Sequence, residues 1–266
     1  MTAARIRALV AKEWLDVRRN LPALLPVLLV TGLTLAMAFG IAFLIPMLTG
    51  HSLGEDMDLV NLSAVAGVHD ELSSDGRIQL FLFQQFLTLF LLIPITGAMA
   101  LAAHAIVGEK QARTLEPLLA TPVTTLELLV AKVLGALLPT LAISLIGVTL
   151  FFAGIGLLAD AGVLRAMASA RSAALLLLVG PAAALVSLQG AIIISSRVND
   201  ARTAQQFGVM IIIPLSALLV AQFTGTFWLS SSALALTGLV LLGIWIVLTI
   251  VSVAVFARES ILTRWK

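Results

Sequence analysis

Apolar residues fill long uninterrupted stretches of this chain, and charged residues are confined to the segments between them. Six stretches contain no aspartate, glutamate, lysine or arginine: residues 21–48, 78–107, 133–159, 172–195, 207–228 and 233–257. About 20 consecutive apolar residues are enough for a helix to cross a bilayer. The pattern therefore predicts an all-α integral membrane protein, a single transmembrane domain of six spanning helices over residues 1–266.

Proline is concentrated in these apolar stretches. Seven of the nine prolines fall in the first five of them: Pro22, Pro26, Pro46, Pro94, Pro139, Pro181 and Pro214. Membrane helices tolerate proline because neighbouring groups satisfy the carbonyls that it frees. We expect interrupted or kinked helices in the first five spans and a straighter sixth.

The basic residues lie mostly on one side of the predicted topology, the side that is retained in the cytoplasm. Thirteen of the sixteen belong to it: Arg5, Arg7, Lys12, Arg18, Arg19, Lys110, Arg113, Lys132, Arg197, Arg202, Arg258, Arg264 and Lys266. This predicts a multi-pass protein of the cytoplasmic (inner) membrane with both termini in the cytoplasm. The small net charge of +2 then reflects topology and does not indicate nucleic-acid binding.

The loop over residues 49–77 falls on the opposite, extracytoplasmic side and is acidic. One interpretation is a vestibule that attracts cations. A plainer one is a solvated cap with short amphipathic helices, such as one over residues 57–68.

The first 20 residues alternate apolar and charged positions at helical spacing. Ile6, Leu9, Val10, Trp14, Val17 and Leu21 recur on one side, opposite Arg5, Lys12, Asp16 and Arg19. This predicts an amphipathic interfacial helix on the membrane surface. A basic segment that only sets the topology fits the same residues.

Residues that could carry out catalysis are missing. The chain has no cysteine, its histidines lack metalloprotease spacing, and no lysine follows glycine as a phosphate-binding loop requires. The sequence predicts no enzyme, no nucleotide-binding domain, no catalytic residue, no metal and no cofactor bound by this chain. The predicted spans also lack the buried ionisable group that many ion-coupled carriers use.

The segment over residues 108–127, between the second and third predicted spans, is charged and cytoplasmic. Thr124 and Glu127 form a capping box, with Val123 and Leu128 as a hydrophobic staple, so a helix begins there. A short amphipathic helix over residues 109–115 precedes it, separated by Pro117 and Pro122. The segment is either a simple re-entry turn or a helical surface that docks into a partner's groove.

This segment resembles the loop of ABC-2 type transporter permeases, which reads approximately Glu-x-x-x-Gly-Thr-Leu-Glu-x-Leu-Leu-x-Thr-Pro-Val followed by a lysine. The matching residues are Glu109, Thr114, Leu115, Glu116, Leu118, Leu119, Thr121, Pro122, Val123 and Lys132. The chain departs from the pattern at Arg113, where the family has glycine. The basic N-terminal segment with Lys12, Glu13 and Trp14 extends the resemblance.

The resemblance implies a permease subunit of an exporter, with the loop as a cytoplasmic coupling helix seated on a separate ATPase subunit. It implies two ATPase copies that bind ATP and Mg, a second permease copy as homodimer or heterodimer, and surrounding membrane lipid. The expected contact residues of this loop are Glu109, Lys110, Arg113, Thr114, Leu115, Glu116, Leu118, Leu119 and Pro122. The cytoplasmic loop over residues 195–203, with Arg197 and Asp200, is a second contact candidate, and it is either a contact with the ATPase or a simple turn.

Two other functions fit the sequence. One is a carrier or channel that works without a partner and is lined by Gln84, Gln85, His104 and Gln189. The other is a membrane scaffold subunit that transports nothing. Neither requires the loop over residues 108–127 to contact an ATPase.

Overall fold

The computed structural model describes residues 3–19, 24–64, 71–111, 124–198 and 229–255, and the single positions 203, 206, 217, 220 and 221. All regular secondary structure in these residues is helical, and they contain no strand. The all-α prediction is therefore confirmed.

Eleven α-helices are named here in chain order. They are α1 (Ala3–Arg19), α2 (Leu25–Phe39), α3 (Ile45–Thr49), α4 (Met57–Ser63), α5 (Ser74–Leu89), α6 (Leu92–Gln111), α7 (Thr125–Leu158), α8 (Val163–Met167), α9 (Ala170–Ala173), α10 (Gly180–Arg197) and α11 (Ser231–Val255). Two π-helical segments, Gly40–Leu44 and Ala174–Val179, and a 3₁₀ turn, Leu53–Glu55, connect some of them.

Five helical segments of the described chain are long and apolar enough to cross a membrane. They are Leu25–Thr49, Ser74–Glu109, Leu126–Leu158, Ala170–Ser196 and Ser231–Ala254. They correspond to the first four predicted spans and the sixth, so the chain is a multi-pass membrane protein. The fifth predicted span, over residues 207–228, lies outside the described residues apart from positions 217, 220 and 221.

The helices are interrupted where proline removes a backbone donor. Pro94 cannot donate to the carbonyl of Phe90, and the helix between Ser74 and Gln111 breaks there into α5 and α6. The two π-helical segments end shortly before Pro46 and Pro181. In contrast, α11 runs without interruption, and so does α7, although it contains Pro139. Interrupted helices are therefore confirmed for the first, second and fourth spans and are not found in the third, and the uninterrupted α11 agrees with the prediction of a straighter sixth span.

Phenylalanine side chains from several helices pack against one another at the centre of the core. Phe151 of α7 is fully buried, and its ring centroid lies 5.0 Å from that of Phe90 and 5.7 Å from that of Phe83. Phe39 of α2 joins them at 5.9 Å from Phe151. The second span is mostly buried, whereas few residues are buried in the most apolar parts of α7 and α11. Large apolar side chains on those two helices therefore face lipid.

Buried glutamines of α5 bind residues much later in the chain. Gln79 donates to Asp160 at 3.3 Å and accepts from the backbone N–H of Asp160 at 2.9 Å. Gln84 accepts from a guanidinium nitrogen of Arg171 at 3.3 Å. These bonds join α5 to the segments on either side of α8.

The acidic loop contains the beginning of its predicted helix. Asp56 caps α4 by accepting from the backbone N–H of Asp58 at 2.9 Å, and the described helix ends at Ser63. The rest of the helix predicted over residues 57–68 lies largely outside the described residues. Within the part of the chain that the structure describes, no cluster of three or more acidic or histidine side chains could hold a metal ion.

Candidate functional site

Helix α1 and the end of α6 pack on the N-terminal part of α7, and glycine allows the closest of these contacts. A Cβ added at Gly135 of α7 would stand 2.5 Å from the Cβ of Glu13 in α1, closer than packed atoms approach. The end of α6 packs on the same part of α7, where the Lys132 ammonium donates to the carbonyl of Ala105 at 3.1 Å. Three helices therefore converge around Lys132.

Five charged side chains meet at this point, and we call them the ion cluster: Lys12, Glu13, Asp16, Glu109 and Lys132. The Lys132 Nζ lies 2.8 Å from Oε2 of Glu109 and 3.3 Å from Oε1 of Glu13. The Lys12 Nζ bonds to Oε1 of Glu109 and lies 3.3 Å from Oδ2 of Asp16. Glu109 thus bridges the two lysines, and α1, α6 and α7 are joined by charge.

The inner part of the ion cluster is shielded from water. Only 1% of the Lys132 side chain is exposed, and Glu13 and Glu109 are also buried. Lys12 and Asp16 remain partly accessible at the edge. Breaking a buried ion pair by removing one partner is costly, because the other charge stays in a medium of low polarity.

The ion cluster keeps Lys12 charged. Partial burial lowers the pKa of Lys12, but the hydrogen bond and charge of Glu109, with those of Glu13 and Asp16, outweigh burial and raise that pKa above its ordinary value. A raised lysine pKa stabilises the fold fully below the unfolded value of about 10.4, and the gain is lost as pH rises through the folded value. The contribution of Lys12 is therefore constant across neutral pH.

The ion cluster lies where α6 and α7 adjoin the predicted coupling loop over residues 108–127. Glu109 is in the last turn of α6, and Lys110 follows it in the same helix. The backbone of Arg197 forms the end of α10. The other predicted contact residues, Arg113, Thr114, Leu115, Glu116, Leu118, Leu119, Pro122 and Asp200, lie outside the described residues, so their contact with a partner remains a prediction.

The predicted start of the third spanning helix is confirmed. The Thr124 hydroxyl accepts from the backbone N–H of Glu127 at 3.2 Å, and the Glu127 carboxylate accepts from the backbone N–H of Thr124 at 2.9 Å. Glu127 is buried, which places this capping box against the bundle. Val123, one side of the predicted staple, lies outside the described residues.

Sequence reasoning missed the pairing of Glu13 with Lys132. Both residues have apolar neighbours one helical turn away on either side: Val10 and Val17 for Glu13, and Leu128 and Ala136 for Lys132. A charge on an apolar face is the signal for a buried partner. The predicted spans are free of charge, but the helices extend beyond them and bring charged side chains into the buried bundle.

Gly135→Ala tests the close contact of α1 with α7. Alanine is the better helix former by about 1 kcal/mol, but overpacking costs typically about 1–3 kcal/mol, and here the new methyl group would meet the Cβ and Cγ of Glu13. We expect a net loss of thermal stability in detergent. Gly32→Ala is the matched control, because no atom lies within 4 Å of its new Cβ. Equal stability changes in the two variants would contradict the contact.

The chain matches a known protein family over nearly its whole length. The family model described as "ABC-2 family transporter protein" matches residues 7–261. The chain matches no curated protein. The family comprises membrane permeases without an ATPase of their own that generally work with an ATPase subunit. The match covers the ion cluster and all five described spans, and the chain therefore belongs to the ABC-2 family of transporter permeases.

Proposed function

We propose that this chain is the permease subunit of an ABC-2 exporter, which moves substrate across the cytoplasmic membrane with ATP hydrolysed by a separate ATPase subunit. Two permease copies and two ATPase copies make one transporter. Both ends of the chain and the loop over residues 108–127 face the cytoplasm.

The ion cluster is the observation that supports this proposal. It joins the last turn of α6 to the start of α7, which are the two stems of the segment over residues 112–123. Because Lys132 and Glu109 are buried and paired, the two stems and α1 move as one body. A force applied to the loop by a partner is therefore passed to three helices at once.

The packing of these helices carries such a displacement through the bundle. From Lys132 to Leu158, α7 continues for roughly 39 Å at about 1.5 Å per residue, the depth of a membrane. It packs on α2, while α6 packs on α2 and α10. A tilt at the ion cluster thus reaches the opposite end of the bundle, where a pathway between two permease copies opens.

Co-purification with the ATPase tests the proposed partnership. The chain is expressed with a Walker-type ATPase encoded next to it and purified through a tag on the chain alone. We expect the ATPase to co-purify and to hydrolyse ATP in lipid. The double variant Leu115→Asp and Leu118→Asp is expected to reduce recovery of the ATPase by about tenfold or more, because each substitution places a charge in an apolar contact.

Leu164→Asp is the matched control, since Leu164 is an exposed leucine of α8, on the predicted extracytoplasmic side. This variant is expected to retain the ATPase. Two results would contradict the coupling role and favour the carrier or the scaffold. One is substrate movement by the chain alone, and the other is an ATPase that binds the double variant as well as it binds the unaltered chain.

A further inference from the structure

The N-terminal helix has two different faces, and within the described residues only one of them contacts the bundle. Glu13 is buried against α7, and Val17 packs on the core that α6, α7 and α10 share. At about 3.6 residues per turn, Arg7, Trp14 and Arg18 fall within about 40° of one another on the other side. All three are exposed, so Trp14 lies with these arginines, whereas Val10 and Val17 of the predicted apolar side are partly buried.

This open face combines positive charge with apolar surface. Leu15 beside it is 53% exposed, and the Arg18 guanidinium carbon lies 5.5 Å from the centre of the Trp14 ring. Among the described side chains of α1, Asp16 and Glu13 are the acidic ones, and both belong to the ion cluster on the opposite side. As far as the described side chains of α1 go, the open face is therefore basic.

The face lies beside helices that cross the membrane. The helix that carries it packs on α7 near Lys132 and Gly135, within the first third of a membrane-spanning segment. Tryptophan and arginine are favoured at this level, where rings sit among headgroups and guanidinium groups reach phosphate. A helix face that is both positively charged and apolar is therefore better suited to contact with an anionic lipid surface than to contact with water.

We propose that Arg7, Trp14, Leu15 and Arg18 form a binding face for anionic phospholipid headgroups of the surrounding membrane. The two guanidinium groups bind lipid phosphate while Trp14 and Leu15 enter the boundary with the acyl chains. Because Glu13 of the same helix is tied to Lys132, lipid bound at this face also fixes the position of the ion cluster.

Lipid retention tests the proposal directly. The chain is purified from membranes of phosphatidylcholine and phosphatidylglycerol, and the ratio of the two lipids that remain bound is measured by native mass spectrometry. Replacing Arg7 and Arg18 together with Gln is expected to lower the preference for phosphatidylglycerol by roughly 25-fold, about fivefold for each arginine near an anionic surface. Arg165→Gln, the same change at the exposed Arg165 of α8, is expected to leave the preference unaltered. An unchanged ratio in the double variant would overturn the proposal.

A single label provides an independent measurement without altering either arginine. The chain has no cysteine, so Leu15→Cys gives one site for a spin label. We expect the label to be shielded from a water-soluble relaxation agent, and more strongly in vesicles that contain phosphatidylglycerol than in phosphatidylcholine alone. A label that is equally open to water in both membranes would exclude a lipid surface as the occupant of this face.

Discussion

Replacing Lys132 with methionine is expected to lower the free energy of unfolding by about 3–5 kcal/mol. Methionine has a similar length, so the main change is the loss of the ammonium between Glu13 and Glu109. Both carboxylates would stay buried, with only the half-exposed Lys12 nearby. Titration with a denaturing detergent measures the change, and transport by the assembled protein should fall with it.

Lys12→Met is the matched control for this result. It is the same substitution in the same ion cluster, but Lys12 is partly open to water and Glu109 retains Lys132. We expect a loss within about 1 kcal/mol, as for exposed ion pairs. Equal losses in the two variants would show that burial of Lys132 does not determine the stability of the ion cluster.

A double variant tests whether Lys132 and Glu109 interact directly. With Glu109→Gln added to Lys132→Met, one of the two uncompensated carboxylates disappears. The combined loss is therefore expected to be smaller than the sum of the single losses by about 0.5–3 kcal/mol. Additive losses would contradict a direct interaction between the two side chains.

Phe151→Ala is expected to lower the free energy of unfolding by about 3–5 kcal/mol. Phe151 is 0% exposed and contacts the rings of Phe39, Phe83 and Phe90. Packing, more than removal from water, holds helices together in lipid, and a cavity here would remove the contacts to these three phenylalanines and to Phe152. Thermal unfolding in mild detergent measures the change.

Leu157→Ala in the same helix should behave differently. Leu157 is 84% exposed and faces the space that lipid occupies. Its truncation leaves no cavity, and the stability should change by no more than about 0.5 kcal/mol. A loss as large as that of Phe151→Ala would show that this face of α7 is covered by protein, such as a second permease copy.

Helix content and most spanning segments could be predicted from the sequence because runs without charge as long as residues 133–159 have only one stable form in lipid. The capping box at Thr124 and Glu127 was also predictable, since its bonds are local. Which side chains of α1 are buried could not be predicted, because an apolar side chain beside a membrane does not have to be buried in the protein. Trp14 is apolar and exposed, whereas Glu13 is charged and buried.

The candidate site was only partly predictable for the same reason. The motif located Glu109 and Lys132, but Lys132 also pairs with Glu13, which is 119 residues away in the chain. Spacing along one helix carries no information about such a contact. The close approach of α1 to α7 at Gly135 could not be predicted either. Glycine is common in spanning helices, and only the fold shows which glycine contacts a neighbouring helix.

The buried glutamines of α5 also have a consequence for how the protein is made. Gln79 and Gln84 bind Asp160 and Arg171, which follow them by 81 and 87 residues. Chains are synthesised from the N-terminus, so the second span leaves the ribosome before these partners exist. An unpaired amide in hydrocarbon is costly. We therefore expect the second span to stay in contact with water or with other proteins during synthesis, until the third and fourth spans supply these partners.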